Sequence, residues 1–411
     1  MKWLLNIVIG LFCAVQCAGQ TNTIDYFINE GLINSPLLKD FQNQRLSLSL
    51  DSQLIRAALR PQVNAVSNDM AAPSINGFGY DRAITNGQVV TGQLSVTKSF
   101  FLNPNTAAQI ASLQIQSLSA SNNGKITEQD LRKAIADQYI LTYGEQLQIE
   151  FTDHIISMLQ KEDSLLKRLT QNNVYKQTDY LSFVVTLQQQ QLNSSQLHIQ
   201  YVFDYAGLNY LAGIVDTTVV PLQDPQLNSA ALGDYTQSIF YQQFVLDSLK
   251  LINDRTIIKL SYRPKVNAFA DAGYNSSLNY QPYKNFGTSF GVNVSIPIYD
   301  GHQKKLQYSK IDLQERTRVS KRDFFLQQRN QQILQLNQQL NATNGLIDQI
   351  NKQIKYTETL ITVNEKLLST GDIRLTDFIL TLNNYFNARN LLTQNYVSRL
   401  KIINQLNYWG R

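Results

Sequence analysis

Three histidines, two cysteines and a scatter of single carboxylates are all that this 411-residue chain offers for catalysis or metal binding. His154, His198 and His302 share no metal-ligand spacing, and no HExxH or paired-cysteine motif joins them, so each reads as a helix-surface residue. Gly77-Phe78-Gly79 has the outline of a glycine loop, but no phosphate-loop lysine or dinucleotide pattern follows, and a strand connection is expected there. The dispersed acids suggest no general acid and base pair. The expectation is a protein with no catalytic residues, no cofactor and no metal. Charge recurs in one ordered pattern: Lys176 and Asp179, then Arg374 and Asp377, each a base followed three residues later by an acid. Beside these carboxylates, Thr178 and Thr376 place oxygen side chains where a helix start has orphan amide hydrogens. Capping and a functional role are both open for the two aspartates.

The elements that must hold these residues are written twice. Arg60-Pro61-Gln62-Val63-Asn64-Ala65-Val66 recurs 203 positions later as Arg263-Pro264-Lys265-Val266-Asn267-Ala268-Phe269. Thr178-Asp179-Tyr180-Leu181 recurs 198 positions later as Thr376-Asp377-Phe378-Ile379, and at that offset Asn173 matches Gly371 and Lys176 matches Arg374. Two matches in the same order indicate a duplicated unit.

All nine prolines lie at or before Pro104 or between Pro221 and Pro297, so two tracts of over a hundred residues are free to form long helices. In the second tract Ile333, Leu336, Leu340, Thr343, Ile347, Ile350, Ile354, Thr357 and Ile361 are spaced alternately three and four apart, a coiled-coil seam. The spacing predicts helices over His302 to Thr370 and Asn105 to Thr170, each on the order of 100 Å long. Gly371, and Asn173 as the next best residue, can take the left-handed conformation that ends each helix before it turns back. Between the helical tracts, Phe286 to Ile298 alternates apolar and small or polar residues, as does its partner around Val266 to Tyr274 apart from Phe269. Pro61 to Asn68 and Gln88 to Phe101 form the first-half pair. About ten alternating residues is the length of a tilted transmembrane strand.

Lys2, the apolar run Trp3 to Val15 and the small residues around Cys17-Ala18-Gly19 read as a secretory signal over 1–19. Cleavage removes Cys13 and Cys17 and with them any disulfide, while lipidation of Cys17 is the competing reading, opposed by Gln16. The expected organisation is signal 1–19, first repeat 20–213, connecting segment 214–237 and second repeat 238–411. Charged residues are 16% of the chain, below the roughly 25% of an average domain. Gln and Asn replace them, taking ten of the fifteen positions from Gln327 to Asn341. The small positive balance, read as spread along the chain, names no nucleic-acid partner.

Four strands cannot close a membrane barrel, so the chain must pool strands with identical copies. At this point the residues resemble the TolC-like outer membrane efflux proteins. The resemblance rests on Ile296-Pro297-Ile298-Tyr299-Asp300-Gly301 as strand-to-helix junction, Leu368-Ser369-Thr370-Gly371 through Thr376-Asp377-Phe378 as second inner hairpin, and Asn404-Gln405-Leu406-Asn407-Tyr408-Trp409-Gly410 as last helix. It implies a mainly α chain with four transmembrane strands, forming a homotrimer with a twelve-stranded β-barrel in the outer membrane and an α-helical tunnel in the periplasm. It further implies a passive exit duct of a tripartite efflux or type I secretion system, with a periplasmic adaptor and an inner-membrane pump of RND or ABC type as partners. Asp377, Asp179, Arg374 and Lys176 would then form the aperture, and Asn173, Thr178, Gly371 and Thr376 the adaptor-facing tips. Leu380 stands where the family often has a second aspartate, which weakens cation binding at that ring, and His302 replaces a customary glycine. Phe100, Phe101 and Tyr299 are candidates for an aromatic girdle. The alternative is a non-conducting coiled-coil scaffold of the envelope.

Overall fold

The computed structural model describes residues 22–81, 83, 86–100, 103–230 and 233–410. The proposed signal with Cys13 and Cys17, and Phe101 of the proposed girdle, lie outside the described residues. After helix α1 (Ile24–Asn34) come α2 (Pro36–Ala58), β1 (Gln62–Ala71), β2 (Gln88–Phe100), α3 (Asn103–Gln171) and α4 (Gln177–Ala212). The same order returns as α5 (Ile239–Ser261), β3 (Lys265–Ser276), β4 (Phe286–Ser295), α6 (Gln303–Thr370) and α7 (Leu375–Gly410). The long helices have 69 and 68 residues and the return helices 36 each. The four strands form one antiparallel sheet in the order β1-β2-β3-β4, so β2 and β3 join the two halves of the chain. Among the described residues, no helix is long and apolar enough to cross a membrane.

Chain contacts divide the molecule into two compact units, each drawing on both halves. A hairpin unit comprises Met1–Lys39, Lys125–Ile239 and Phe325–Arg411; a sheet unit comprises Asp40–Gly124 and Phe240–Phe324. Charge is not spread evenly between them, contrary to the reading from sequence. The sheet unit has 18 Lys and Arg against 11 Asp and Glu, and the hairpin unit 18 against 20.

Three of the differences from the expected boundaries have a local cause. β4 stops at Ser295 rather than Ile298, because Pro297 has no amide hydrogen for a ladder. Pro104 falls inside α3, in its first turn, where the missing N–H has no intrahelical partner to lose. His302 is not on a helix surface: it adopts φ +66° after Gly301 at +62°, in the turn that precedes α6.

The seam on α6 is realised. From 331 to 361 the residues that are not exposed are Ile333, Leu336, Leu340, Thr343, Ile347, Ile350, Ile354, Thr357 and Ile361. Its upper part packs with Leu406, Ile402 and Trp409 of α7. Its lower part joins Leu159, Leu166, Phe183, Phe378 and Leu382 in the largest core of the hairpin unit. Long amphipathic helices are stabilised mainly by such packing rather than by propensity.

The connecting segment is laid against these helices by paired hydrogen bonds. Gln146 donates to the Leu222 carbonyl (3.3 Å) and accepts from the Leu222 amide (2.7 Å). Asn407 likewise donates to the Asn228 carbonyl (2.9 Å) and accepts from the Ala230 amide (2.8 Å). Asn209 donates to the Asp216 carbonyl. Asn209 and Asn407 are themselves related by the 198-residue offset, within Leu208-Asn209-Tyr210 and Leu406-Asn407-Tyr408.

One buried polar pair lies between α3 and α4. Asp204, 8% exposed, accepts from the side-chain amides of Gln138 and Gln200 and is held below the usual carboxylate range despite its desolvation. Burial and the adjacent Asp204 carboxyl push Glu145 up to about 8, so near neutral pH Glu145 keeps its proton and donates it to Asp204. A folded-state pKa raised above the unfolded value gives stability that is complete below the unfolded value and is lost as pH rises through the folded one. Stability measured by urea unfolding is therefore expected to fall from about pH 5 to above pH 8 in the wild type, and Glu145→Gln should flatten that part of the profile.

Candidate functional site: an open sheet and two hairpin tips

The register sorts the sheet's side chains onto two unlike faces. One transverse row is Val63, Val96, Ala270 and Phe290, the next Ala65, Leu94, Ala272 and Thr288. Val266, Val292 and Val294 extend this apolar face, and Val292, Val294 and Phe290 are 66%, 57% and 89% exposed. The opposite face carries Asn64, Ser95, Asp271 and Ser289 in one row, with Ser289 donating to Asp271 at 3.2 Å. Phe269, the break in alternation, lies on this wet face over Gly291, where a Cβ would come within 2.5 Å of its ring. The ring thus fills the space that the glycine leaves empty. β1 and β4 each pair on one side only among the described residues, so both outer edges present unpaired amides and carbonyls. Between β1 and β2, Asn76 (φ +51°) and Gly77 (φ +82°) form a two-residue turn closed by the Ile75–Phe78 bridge. Of the girdle candidates, Phe100 is 41% and Tyr299 79% exposed.

At the α3–α4 and α6–α7 turns the chain repeats itself in detail. Asn173 (φ +59°) and Gly371 (φ +82°) take the left-handed conformation. The next amide folds back five residues in each turn, Val174 to the Leu169 carbonyl (2.9 Å) and Asp372 to the Leu367 carbonyl (3.0 Å). These are Schellman ends, satisfying carbonyls that a helix terminus leaves free. The two turns are clasped together by Tyr175, whose hydroxyl lies 3.1 Å from the Ile373 carbonyl and 3.3 Å from that of Leu368. Gly371 is required here for a second reason, since a Cβ would sit 2.7 Å from Val174.

The expected aperture residues are brought to these tips, but not as caps. The N-cap of α4 is Lys176, with no side-chain cap bond, and the Arg374 carbonyl opens α7 by accepting from Asp377 and Phe378. Each helix begins two residues earlier than a threonine cap requires, which moves Thr178, Asp179, Thr376 and Asp377 into the first turn. There a carboxylate still favours the positive helix end. Arg374 pairs with Asp377 of its own turn at 3.6 Å, with 86% and 54% of the two side chains exposed. No ion pair joins Lys176 to Asp179 among the described residues. Tyr175 was missed from sequence; the signal was an aromatic residue after Val174 in a turn otherwise made of Asn, Lys and Gln.

A further feature of the helices also went unread. α4 buries Phe183, Leu187, Tyr201, Tyr205 and Leu208. Leu181, Val185, Leu192, Ile199 and Val202, at coiled-coil spacing on another side, remain 52–73% exposed. α6 shows the same doubling, with Tyr356, Leu360, Val363 and Leu367 exposed beside the buried seam. Each helix is built for neighbours on two sides.

No protein-family model matches the chain, and no curated protein sequence does. Solved structures do. The outer membrane protein VceC from Vibrio cholerae superimposes with a TM-score of 0.73 at 13% identity, over 94% of this chain and 96% of that one. CusC, described in terms of folding and transmembrane channel formation, gives 0.75 at 12%, over 95% and 92%. The Campylobacter jejuni CmeC outer membrane channel gives 0.72 at 11%, over 94% and 85%. The fold is that of these outer membrane channels. The structural neighbours are channel proteins rather than enzymes, and the channel fold accounts for helices far longer than a globular core uses.

Tyr175→Phe removes the clasp between the two turns while keeping the ring in its core. Hydrogen exchange of the amides at 172–176 and 371–375 is expected to accelerate by about fivefold, the equivalent of ~1 kcal/mol for one hydrogen bond, with the helix centres unchanged.

Proposed function

We propose that three copies of this chain form an outer-membrane exit duct, a passive conduit for a tripartite efflux or type I secretion system. The observation that carries the reading is the open four-stranded sheet with one continuous apolar face. In lipid each unpaired edge amide costs several kcal/mol, so the free edge of β4 must pair with β1 of the next copy until the ring closes. Three chains supply twelve strands, and the polar face then lines the lumen. The second seams on α4 and α6 support the same symmetry, because a wall helix needs one apolar side for its own chain and one for the neighbouring copy. On this reading the signal 1–19 directs export, 20–213 and 238–411 are two copies of one ancestral unit, and 214–237 straps them together. The duct has no catalytic residue and no cofactor.

The tips are the gate. Asp179, Asp377, Lys176 and Arg374 converge from three copies about one axis, and Asn173, Thr178, Gly371 and Thr376 present the surface that a periplasmic adaptor engages, itself coupled to an inner-membrane pump of RND or ABC type. The fold of the structural neighbours supports this placement, since they include outer membrane channels matched over 96% and 85% of their own length.

Single-channel recording in planar lipid tests the proposal. Resting conductance is expected to be low and to rise several-fold in an Asp179→Ala, Asp377→Ala double variant, while Ile199→Asp should prevent assembly of the trimer. A monomer in detergent that never conducts would leave only a coiled-coil scaffold; an unchanged resting current in the double variant would remove the gating role alone.

A further inference from the structure

The four places where strands meet helices lie together at one rim of the sheet. The register sets Gln62 beside Thr97, Phe100 beside Val266 and Lys265 beside Ser295. The segments 56–62, 98–105, 259–265 and 295–305 contain eight basic residues, Arg56, Arg60, Lys98, Lys259, Arg263, Lys265, Lys304 and Lys305, and one acid, Asp300. All eight are exposed except the half-buried Lys304, and none makes an ion pair among the described residues. Asp300 is already committed: it accepts from the backbone amides of His302 (3.0 Å) and Lys304 (2.8 Å) and from the Tyr262 hydroxyl. The opposite rim, over 69–88 and 276–286, has two bases and two acids.

Aromatic rings are interleaved with the basic rim. Lys98 lies over Phe100 at 5.5 Å, and Lys304 over Tyr262 at 5.1 Å. The rings anchor the alkyl stems near the apolar face and leave the ammonium groups at its border. A solvated charged face has no reason to be confined to one rim, to lack counter-charges there and to abut a greasy surface directly.

We propose that this rim binds the anionic phospholipid headgroups of the leaflet on the helix side of the barrel. The inference rests on the membrane placement of the sheet: once acyl chains cover Val292, Val294 and Val266, the phosphate plane of that leaflet falls at Lys265 and Ser295. Lys265 shares the wet face with Asp271, so the other seven cations, repeated in three copies, form a ring that sets the depth of insertion and selects negatively charged lipid, with about fivefold in partition for each basic residue close to the surface.

The test uses the purified assembly in nanodiscs of mixed phosphatidylglycerol and phosphatidylcholine, with retained lipid counted by native mass spectrometry. Phosphatidylglycerol is expected to be enriched several-fold around the wild type. The enrichment should disappear at high salt and in an Arg60→Gln, Lys98→Gln, Arg263→Gln, Lys305→Gln variant, and survive Lys284→Gln at the other rim. Absence of enrichment, or enrichment unchanged in the fourfold variant, overturns the proposal. Conductance in pure phosphatidylcholine separates the two readings: a wild type that inserts and conducts there without lipid preference loses only the headgroup site, and one that never inserts loses the duct as well.

Discussion

A backbone amide in hydrocarbon has no water to fall back on, and β1 and β4 each carry an unpaired row of such groups beside a face of Val, Leu and Phe. That combination is stable neither in lipid as a monomer nor in water with its apolar face bare. Closure with copies of itself resolves both problems at once, and the rest of the molecule is consistent with that solution. The register places the rows through Val63 and Ala65 on one side across all four strands, and a slip by one residue would turn that set inward. The single aromatic on the wrong side, Phe269, is accommodated by a glycine cut to its shape rather than by a change of register.

The helices obey the same rule in a different medium. An amphipathic helix in a globular core needs one apolar stripe. α4 has two, and the outer one is interrupted by Gln188 and Ser195 in the positions between Val185 and Ile199. Such a seam is weaker than the inner one with Phe183 and Leu208. That difference suits an assembly in which each chain first folds its own hairpins and then docks on neighbours, since a stronger outer seam would compete with the inner one for the same helix face.

How much of this was legible follows from where each signal sits along the chain. The α6 seam could be read to the residue, because nine consecutive heptad positions need no tertiary information. The turns at Asn173 and Gly371 could be read because few residues tolerate positive φ. The outer seam of α4 was hidden by its polar interruptions, and the Asn209 and Asn407 clasps by the brevity of the Leu-Asn-Tyr repeat. The charge contrast was invisible for a topological reason. The sheet unit is assembled from 40–124 and 240–324, so its excess of bases is interleaved along the chain with segments that are slightly acidic. The capping role assigned to Thr178 and Thr376 failed by two residues, within the usual uncertainty of a helix start, and that shift is enough to exchange a cap for a first-turn position.

On the proposed reading, the energetics of the tips suit a latch that opens. Arg374 and Asp377 are largely exposed in the chain, and such pairs are worth about 0–1 kcal/mol. The packing beneath them is of another order: Leu166, Leu368, Leu375, Phe183 and Phe378 are essentially buried, each contributing roughly 1.5–3 kcal/mol. The hairpins themselves are therefore held firmly, with Schellman turns and the Tyr175 clasp added, while the charged pair at the tip contributes little. On the proposed reading, a partner that binds the open arrangement only a few kcal/mol better than the closed one is enough to shift the population. Firmly held hairpins with a weak charged pair at their ends allow that shift without unfolding any helix.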